Sequence, residues 1–167
     1  MTNINAIVAV CDNWGIGYRG NLLVHNRADM RRFTALTVGK IVVMGHNTML
    51  SLPQRRPLKN RRNIVLTHSA SLPYRGFEVA HSYDEVLSMI GSRETWIIGG
   101  ASVYRLFLPD CQRIEVTKHH CIVPADTFFP VNLDLDEAWQ ARPASDVTGG
   151  LTEDGLSYDF LAYLPVY

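Results

Sequence analysis

Ile41-Val42-Val43-Met44-Gly45-His46-Asn47-Thr48 sets an apolar, largely β-branched run directly against a glycine, followed by residues able to open a helix. Trp96-Ile97-Ile98-Gly99-Gly100-Ala101-Ser102 repeats the arrangement. Short runs of this kind suit strands covered on both faces, and a helix after each implies crossovers between parallel strands. Glycine at the junction lets the backbone come close to a ligand, and the free amides of the following helical turn attract phosphate oxygens. One such junction is an ordinary turn. Two of them on parallel strands point to a nucleotide diphosphate at the carboxyl edge of the sheet.

Working outward, further strand-length runs lie at Ile4 to Val10, Asn63 to Thr67, Phe77 to Ala80 and Arg113 to Thr117. Ser82-Tyr83-Asp84-Glu85 is a capping box that opens an apolar stripe of Tyr83, Val86, Leu87 and Ile90. A second helix is expected from Ala101 to Leu108, stopped by Pro109. The last third changes character: Trp139 to Ser145 and Leu156 to Leu164 flank the turn signal Glu153-Asp154-Gly155, which reads as an antiparallel edge hairpin. The fold class is α/β around a mainly parallel sheet, with residues 1–167 as a single domain and no linker or repeat.

Composition narrows the partner. Lys plus Arg and Asp plus Glu both number 16, so no global field favours nucleic acid or an anionic membrane. Cys11, Cys111 and Cys121 form no CxxC pair and are odd in number, which fits a reducing, cytoplasmic setting. A small molecule is the expected partner. His119-His120-Cys121 is not a metal motif, because adjacent strand residues face opposite sides.

Gly15-Ile16-Gly17-Tyr18-Arg19-Gly20 matches GxGxxG literally, but Cys11-Asp12-Asn13-Trp14 separate it from the preceding strand and no helix opens across it. It reads as a glycine-rich loop able to cover a site. Behind it, Asp29 is the one carboxylate between Asp12 and Glu78. Helical spacing puts Asp29 with Phe33 and Leu36 or Thr37, and turns Arg31 and Arg32 elsewhere. A shielded acid there would have a raised pKa suited to a polar heterocycle, while a solvated first-turn acid drawn to the helix dipole fits the residues equally well.

Taken in order, Ala6-Ile7-Val8-Ala9, Trp14-Gly15-Ile16-Gly17, Asp29-Met30-x-x-Phe33, Thr37-x-Gly39-Lys40, Val43-Met44-Gly45-x-x-Thr48, Arg56-Pro57-Leu58-x-x-Arg61-x-Asn63, Ile97-Ile98-Gly99-Gly100, Val103-Tyr104, Asp126-Thr127-x-Phe129-Pro130 and Ser157-Tyr158 resemble bacterial dihydrofolate reductase. The resemblance implies an eight-stranded, mainly parallel sheet with an antiparallel C-terminal edge strand and about four helices. It also implies reduction of 7,8-dihydrofolate by NADPH in a monomer, and plausible binding of diaminopyrimidine antifolates. By the same resemblance the catalytic set is Asp29, Leu22 and Thr117: Asp29 anchors the pteridine, Thr117 hydrogen-bonds near it, and Leu22 lines the folate pocket. Ile7, Val8, Ala9, Met30, Phe33, Leu52, Ile98 and Tyr104 would complete the substrate site, and Arg61 would meet the substrate's glutamate carboxylate.

The cofactor positions implied are Ala9, Ile16, Gly17, Gly45, His46, Asn47, Thr48, Leu66, Thr67, His68, Ile98, Gly99, Gly100, Ala101, Ser102, Val103, Tyr104 and Thr127, with Gly99-Gly100 joined by a cis peptide bond. Three places depart from the family pattern. Leu22-Leu23-Val24 stands where Leu-Pro-Trp is usual, Asn26-Arg27 replaces a proline two residues before the acid, and His46 takes the place of an arginine. Two rivals remain: a pyrimidine reductase of riboflavin synthesis, against which Asp29-x-x-x-Phe33 counts, and a nucleotide-binding module without catalysis.

Overall fold

The strand Asn3–Cys11 (β1) runs down the middle of a sheet and is buried over most of its length. The computed structural model describes residues 1–167. After β1 come a short strand Gly15–Gly17 (β2), helix Arg27–Thr37 (α1), strand Ile41–Gly45 (β3), helix His46–Ser51 (α2), and strands Arg62–Leu66 (β4) and Phe77–Ala80 (β5). Helix Tyr83–Ile90 (α3), strand Glu94–Ile97 (β6), helix Ala101–Phe107 (α4) and strand Cys111–His119 (β7) follow. The chain closes with Thr127–Phe128 (β8), Trp139–Pro143 (β9), Gly150–Leu151 (β10) and Ser157–Pro165 (β11).

Across the main sheet the order is β10-β11-β7-β1-β6-β3-β4-β5, with β9 also on β11. All pairs from β7 to β5 are parallel, and β11 joins β7 antiparallel. This is the mainly parallel sheet that the strand–helix alternation predicts, with the eight positions that the family resemblance implied. Its parallel strands bring the carboxyl ends of β1, β3, β4, β6 and β7 to one edge. The interior confirms two-sided cover: Val42, Val43, Met44, Ile64, Val65, Trp96 and Ile97 have no exposed surface. No helix is long and apolar enough to cross a membrane.

Local signals account for the helices. Ser82 accepts from the Glu85 amide at 3.1 Å, and the Glu85 carboxylate returns to the His81 amide at 2.7 Å, one residue before the usual partner. Asn26 caps α1 by accepting from the Asp29 amide at 3.3 Å.

The C-terminal edge differs in one respect from a plain hairpin. β9 pairs with the far half of β11, from Leu161 opposite Pro143 to Pro165 opposite Trp139, whereas the turn at Glu153 to Gly155 joins β11 to the two-residue β10. The residues between β9 and β10 leave the sheet, and Asp146 among them reaches α1. Gly149 is where the chain returns: a Cβ there would lie 2.1 Å from the Tyr158 carbonyl oxygen, so any larger residue would push β10 off β11.

Arg32, which helical spacing placed away from Asp29, is instead 7 % exposed and turned toward β7. It donates to Glu115 at 2.7 Å and to Asp146 at 2.8 Å, with the Phe160 ring 5.3 Å below its guanidinium. Three residues along a helix advance the face by less than one turn, so Arg32 follows Asp29 on the same side. Burial works against the charge, and the bonds to Glu115 and Asp146 outweigh it. Removing Arg32 takes away the partner that Glu115 meets at 2.7 Å and leaves this buried carboxylate only Arg113, 3.0 Å away. Arg32→Met should therefore cost about 3 kcal/mol in urea unfolding, and Arg32→Met with Glu115→Leu should recover most of that loss. Additive losses in the double variant would show that the pair is not a unit.

Candidate active site

Asp29 begins the site. It lies in the first turn of α1, half-buried, and accepts a 2.5 Å hydrogen bond from the Thr117 hydroxyl of β7. Burial raises its pKa above the ordinary carboxylate value, although Thr117, His119 and Arg32 all pull the other way. Of the two readings the sequence left open, the shielded acid is the one observed.

Asp29 belongs to a polar seam between α1 and β7. Asn26 Nδ2 meets His119 Nε2 at 3.1 Å, Thr117 meets Asp29, and Arg32 meets Glu115. Residues 26, 29 and 32 are spaced three apart on the helix, and 119, 117 and 115 two apart on the strand. Three helical residues rise about 4.5 Å and two strand residues about 6.6 Å. The mismatch is absorbed by side-chain reach, short at Asp29 and Thr117 and long at Arg32. Asn26, Arg32, Glu115, Thr117 and His119 are all buried. Asn26, Glu115 and His119 were not singled out as site residues in the sequence; the three-and-two spacing is the signal that pairs them.

The other expected residues sort into groups. Ile7 is buried in an apolar cluster against which Phe33, Leu52 and Ile98 pack. Arg61 reaches the other end of α1, donating to the Thr37 hydroxyl at 3.1 Å with its guanidinium 5.8 Å from the Phe33 ring centre. Tyr104 is buried and donates to the Ile7 carbonyl at 2.8 Å; burial, with Asp29 and Cys111 adding to it, raises its pKa far above the ordinary value. Val8 is buried beside them, and Ala9 lies opposite Thr117 in the sheet register. Met30 and Leu22 are exposed, at 48 % and 67 %.

At the glycine junctions the Gly45 amide donates to the Gly99 carbonyl at 2.8 Å, and the Gly99-Gly100 peptide bond is cis. A Cβ on Gly45 would stand 3.0 Å from Val103, and one on Gly99 would stand 3.3 Å from the Thr48 hydroxyl. The strand ends and the starts of α2 and α4 thus form one cradle, with Ala101 and Ser102 opening α4 and Asn47 exposed at the start of α2. On its flank, His46 Nδ1 lies 3.0 Å from the Thr67 hydroxyl, just past Leu66 at the end of β4, and His68 is exposed beside them.

The segment Trp14 to Val24 covers the end of β1. Trp14 is buried at φ 64°, and its carbonyl accepts from Phe129 at 2.8 Å. Gly17 is paired with Thr127 across β2 and β8, and Asp126 accepts from the Arg19 amide at 2.9 Å. Ala9, Ile16 and Leu22 line a small cavity with Cys11, Val24 and His119. What resembled a nucleotide fingerprint is a flap pinned to the loop before β8. The histidine pair divides as strand alternation requires: His119 enters the seam, while His120 sits outside between Asp12 and Asp159.

Asn at position 29 keeps the Thr117 bond and removes a carboxylate whose ionisation burial disfavours. A carboxyl with a raised folded pKa favours folding below its unfolded pKa, a contribution lost as pH rises through the folded value. Asp29→Asn should therefore unfold at higher urea than the wild type at about pH 8, and its advantage should shrink on acidification. A constant difference across pH would place the cost elsewhere.

The chain matches the family model described as dihydrofolate reductase over residues 3–164. It is 36 % identical to the dihydrofolate reductase of Mycobacterium tuberculosis (strain ATCC 25618 / H37Rv), over 98 % of both chains. It is 38 % identical to the dihydrofolate reductase type 3 of Salmonella typhimurium, over 86 % of this chain and 90 % of that one. Among solved structures, a dihydrofolate reductase from Enterococcus faecalis complexed with NADP(H) and RAB-propyl superposes with a TM-score of 0.86 at 29 % identity, covering 98 % of this chain and 96 % of that one. Matched in sequence and in fold along nearly its whole length, this chain belongs to the dihydrofolate reductase family of oxidoreductases.

Proposed function

We propose that the protein reduces 7,8-dihydrofolate to 5,6,7,8-tetrahydrofolate with NADPH. The observation that carries this reading is Asp29: a shielded carboxyl of raised pKa, fixed by Thr117, at the edge of the sheet that also holds the glycine cradle. A pteridine offers two adjacent donors, its 2-amino group and N3, which a carboxylate can accept side by side. Asp29 would hold the ring so, keep a proton available near N5, and leave C6 facing the cofactor side. A diaminopyrimidine offers the same donors, which is why such antifolates are expected to compete.

The cradle fits a dinucleotide. Gly45 and Gly99 have no side chain where a Cβ would crowd Val103 and Thr48, and the first-turn amides of α2 and α4 are donors suited to diphosphate. His46 and Thr67, 3.0 Å apart, with exposed His68, offer polar atoms for a 2′-phosphate. NADPH, when bound, supplies the hydride. Ala9, Ile16 and Leu22 would close over the reacting end and exclude water, and Ile7, Phe33, Leu52 and Ile98 would cover the apolar body of the substrate. Arg61, already over the Phe33 ring, would receive the glutamate carboxylate.

Loss of NADPH absorbance on adding dihydrofolate tests the reading directly. Folate and a pyrimidine-reductase substrate serve as controls, and turnover of the pyrimidine alone would favour the rival. Asp29→Asn should lower turnover about 100-fold or more while the protein stays folded, with partial recovery in acid, where free dihydropterin is protonated. An unaffected rate removes Asp29 from the mechanism. Separately, kcat/KM should favour NADPH over NADH, and His46→Ala should cut that ratio about tenfold; equal values for the two cofactors in the wild type would defeat the assignment of His46 and Thr67.

A further inference from the structure

The uppermost rung of the seam uses two residues to which the proposed reaction gives no part. Asn26 and His119 are 3 % and 1 % exposed, and their side chains meet at 3.1 Å. Hydrogen-bond polarity fixes the direction of the whole chain. The Asp29 backbone N–H can only donate, so the Asn26 atom that it meets at 3.3 Å must be the carbonyl oxygen. The Asn26 amino group is then the atom turned to the ring, and an amino group can only donate. His119 Nε2 must therefore carry a lone pair, and the ring proton must sit on Nδ1.

We propose that His119, neutral and protonated on Nδ1, is a positioning residue: it holds the Asn26 amide with its oxygen on the Asp29 backbone N–H, and so fixes the turn that aims the acid. The inference rests on the reading of Asp29 as the substrate anchor. The groups facing the ring are Asp29 from α1, Cys11 and the Val10 carbonyl from β1, His120 on β7 itself, and Tyr158 from β11 at 5.9 Å between ring centres. Burial lowers the His119 pKa, against the pull of Asp29 and the Val10 carbonyl, and so favours the neutral ring that the geometry requires. A proton on Nε2 would confront the Asn26 amino group with a second donor. The amide would have to turn over, and the cap on Asp29 would be lost.

Two measurements on the ligand-free protein test this without any turnover. Nitrogen NMR at neutral pH should show His119 Nδ1 protonated and Nε2 bare; a protonated Nε2 overturns the proposal. Carbon NMR titration of the Asp29 carboxyl should show its pKa falling toward the ordinary range in Asn26→Ala, as the loosened turn admits water. His119→Gln, whose amide oxygen can accept from Asn26, should leave the Asn26 side-chain amide and the Asp29 backbone N–H with their wild-type NMR shifts, whereas His119→Leu, which cannot accept, should move both. An unchanged Asp29 titration in Asn26→Ala overturns the proposal, and this arm stands even where His119→Leu does not fold. With substrate, Asn26→Ala should raise KM for dihydrofolate about fivefold and leave KM for NADPH within about twofold. A wild type inactive on dihydrofolate would refute the functional reading, whereas the two NMR measurements decide the role of His119 by themselves.

Discussion

The polar seam between α1 and β7 is the constraint on which the site depends. A helix carrying an acid at its start must lie close enough to the sheet to keep water from the carboxyl, yet every polar atom taken from water needs a partner. Thr117 answers Asp29, Glu115 answers Arg32, and His119 answers Asn26. Because the two elements advance at different rates per residue, only one register satisfies all three. Sliding α1 by one residue would leave buried polar groups unpaired at one end and buried charges at the other.

The seam also joins parts of the chain that are distant in sequence. Asp146, in the stretch that interrupts the C-terminal edge between β9 and β10, completes Arg32. The broken edge therefore reaches α1 at Arg32, three residues along the helix from the acid. On the other side of the sheet edge, the glycine cradle is built from backbone alone, with Gly45, Gly99 and Gly100 bringing two helix starts together. Substrate binding and cofactor binding thus rest on opposite devices. One is a set of matched side chains, and the other is the absence of side chains.

The departures from the family pattern fall around the seam and the flap. Asn26 closes the helix start by capping, where a proline two residues before the acid would have stiffened it. Arg27, beside it, is exposed and lies 3.9 Å from Glu153, a loose surface contact of little energetic weight. Val24 lines the cavity under the flap with His119, so the region without the usual indole adjoins the rung that the polar pair supplies.

The sequence by itself determined the strands, the capped helix at Ser82, the glycine junctions and the isolation of Asp29, because those rest on local periodicity and on residue types with few permitted roles. It also carried the family, through motifs kept in order. Only the tertiary structure decided that Asp29 is shielded, that Arg32 meets Glu115 and Asp146, and that the C-terminal edge is split into β9 and β10. These depend on which residue of β7 or of the 144–149 stretch arrives opposite which residue of α1. Side-chain reach across two elements settles that, and periodicity within one element does not encode it.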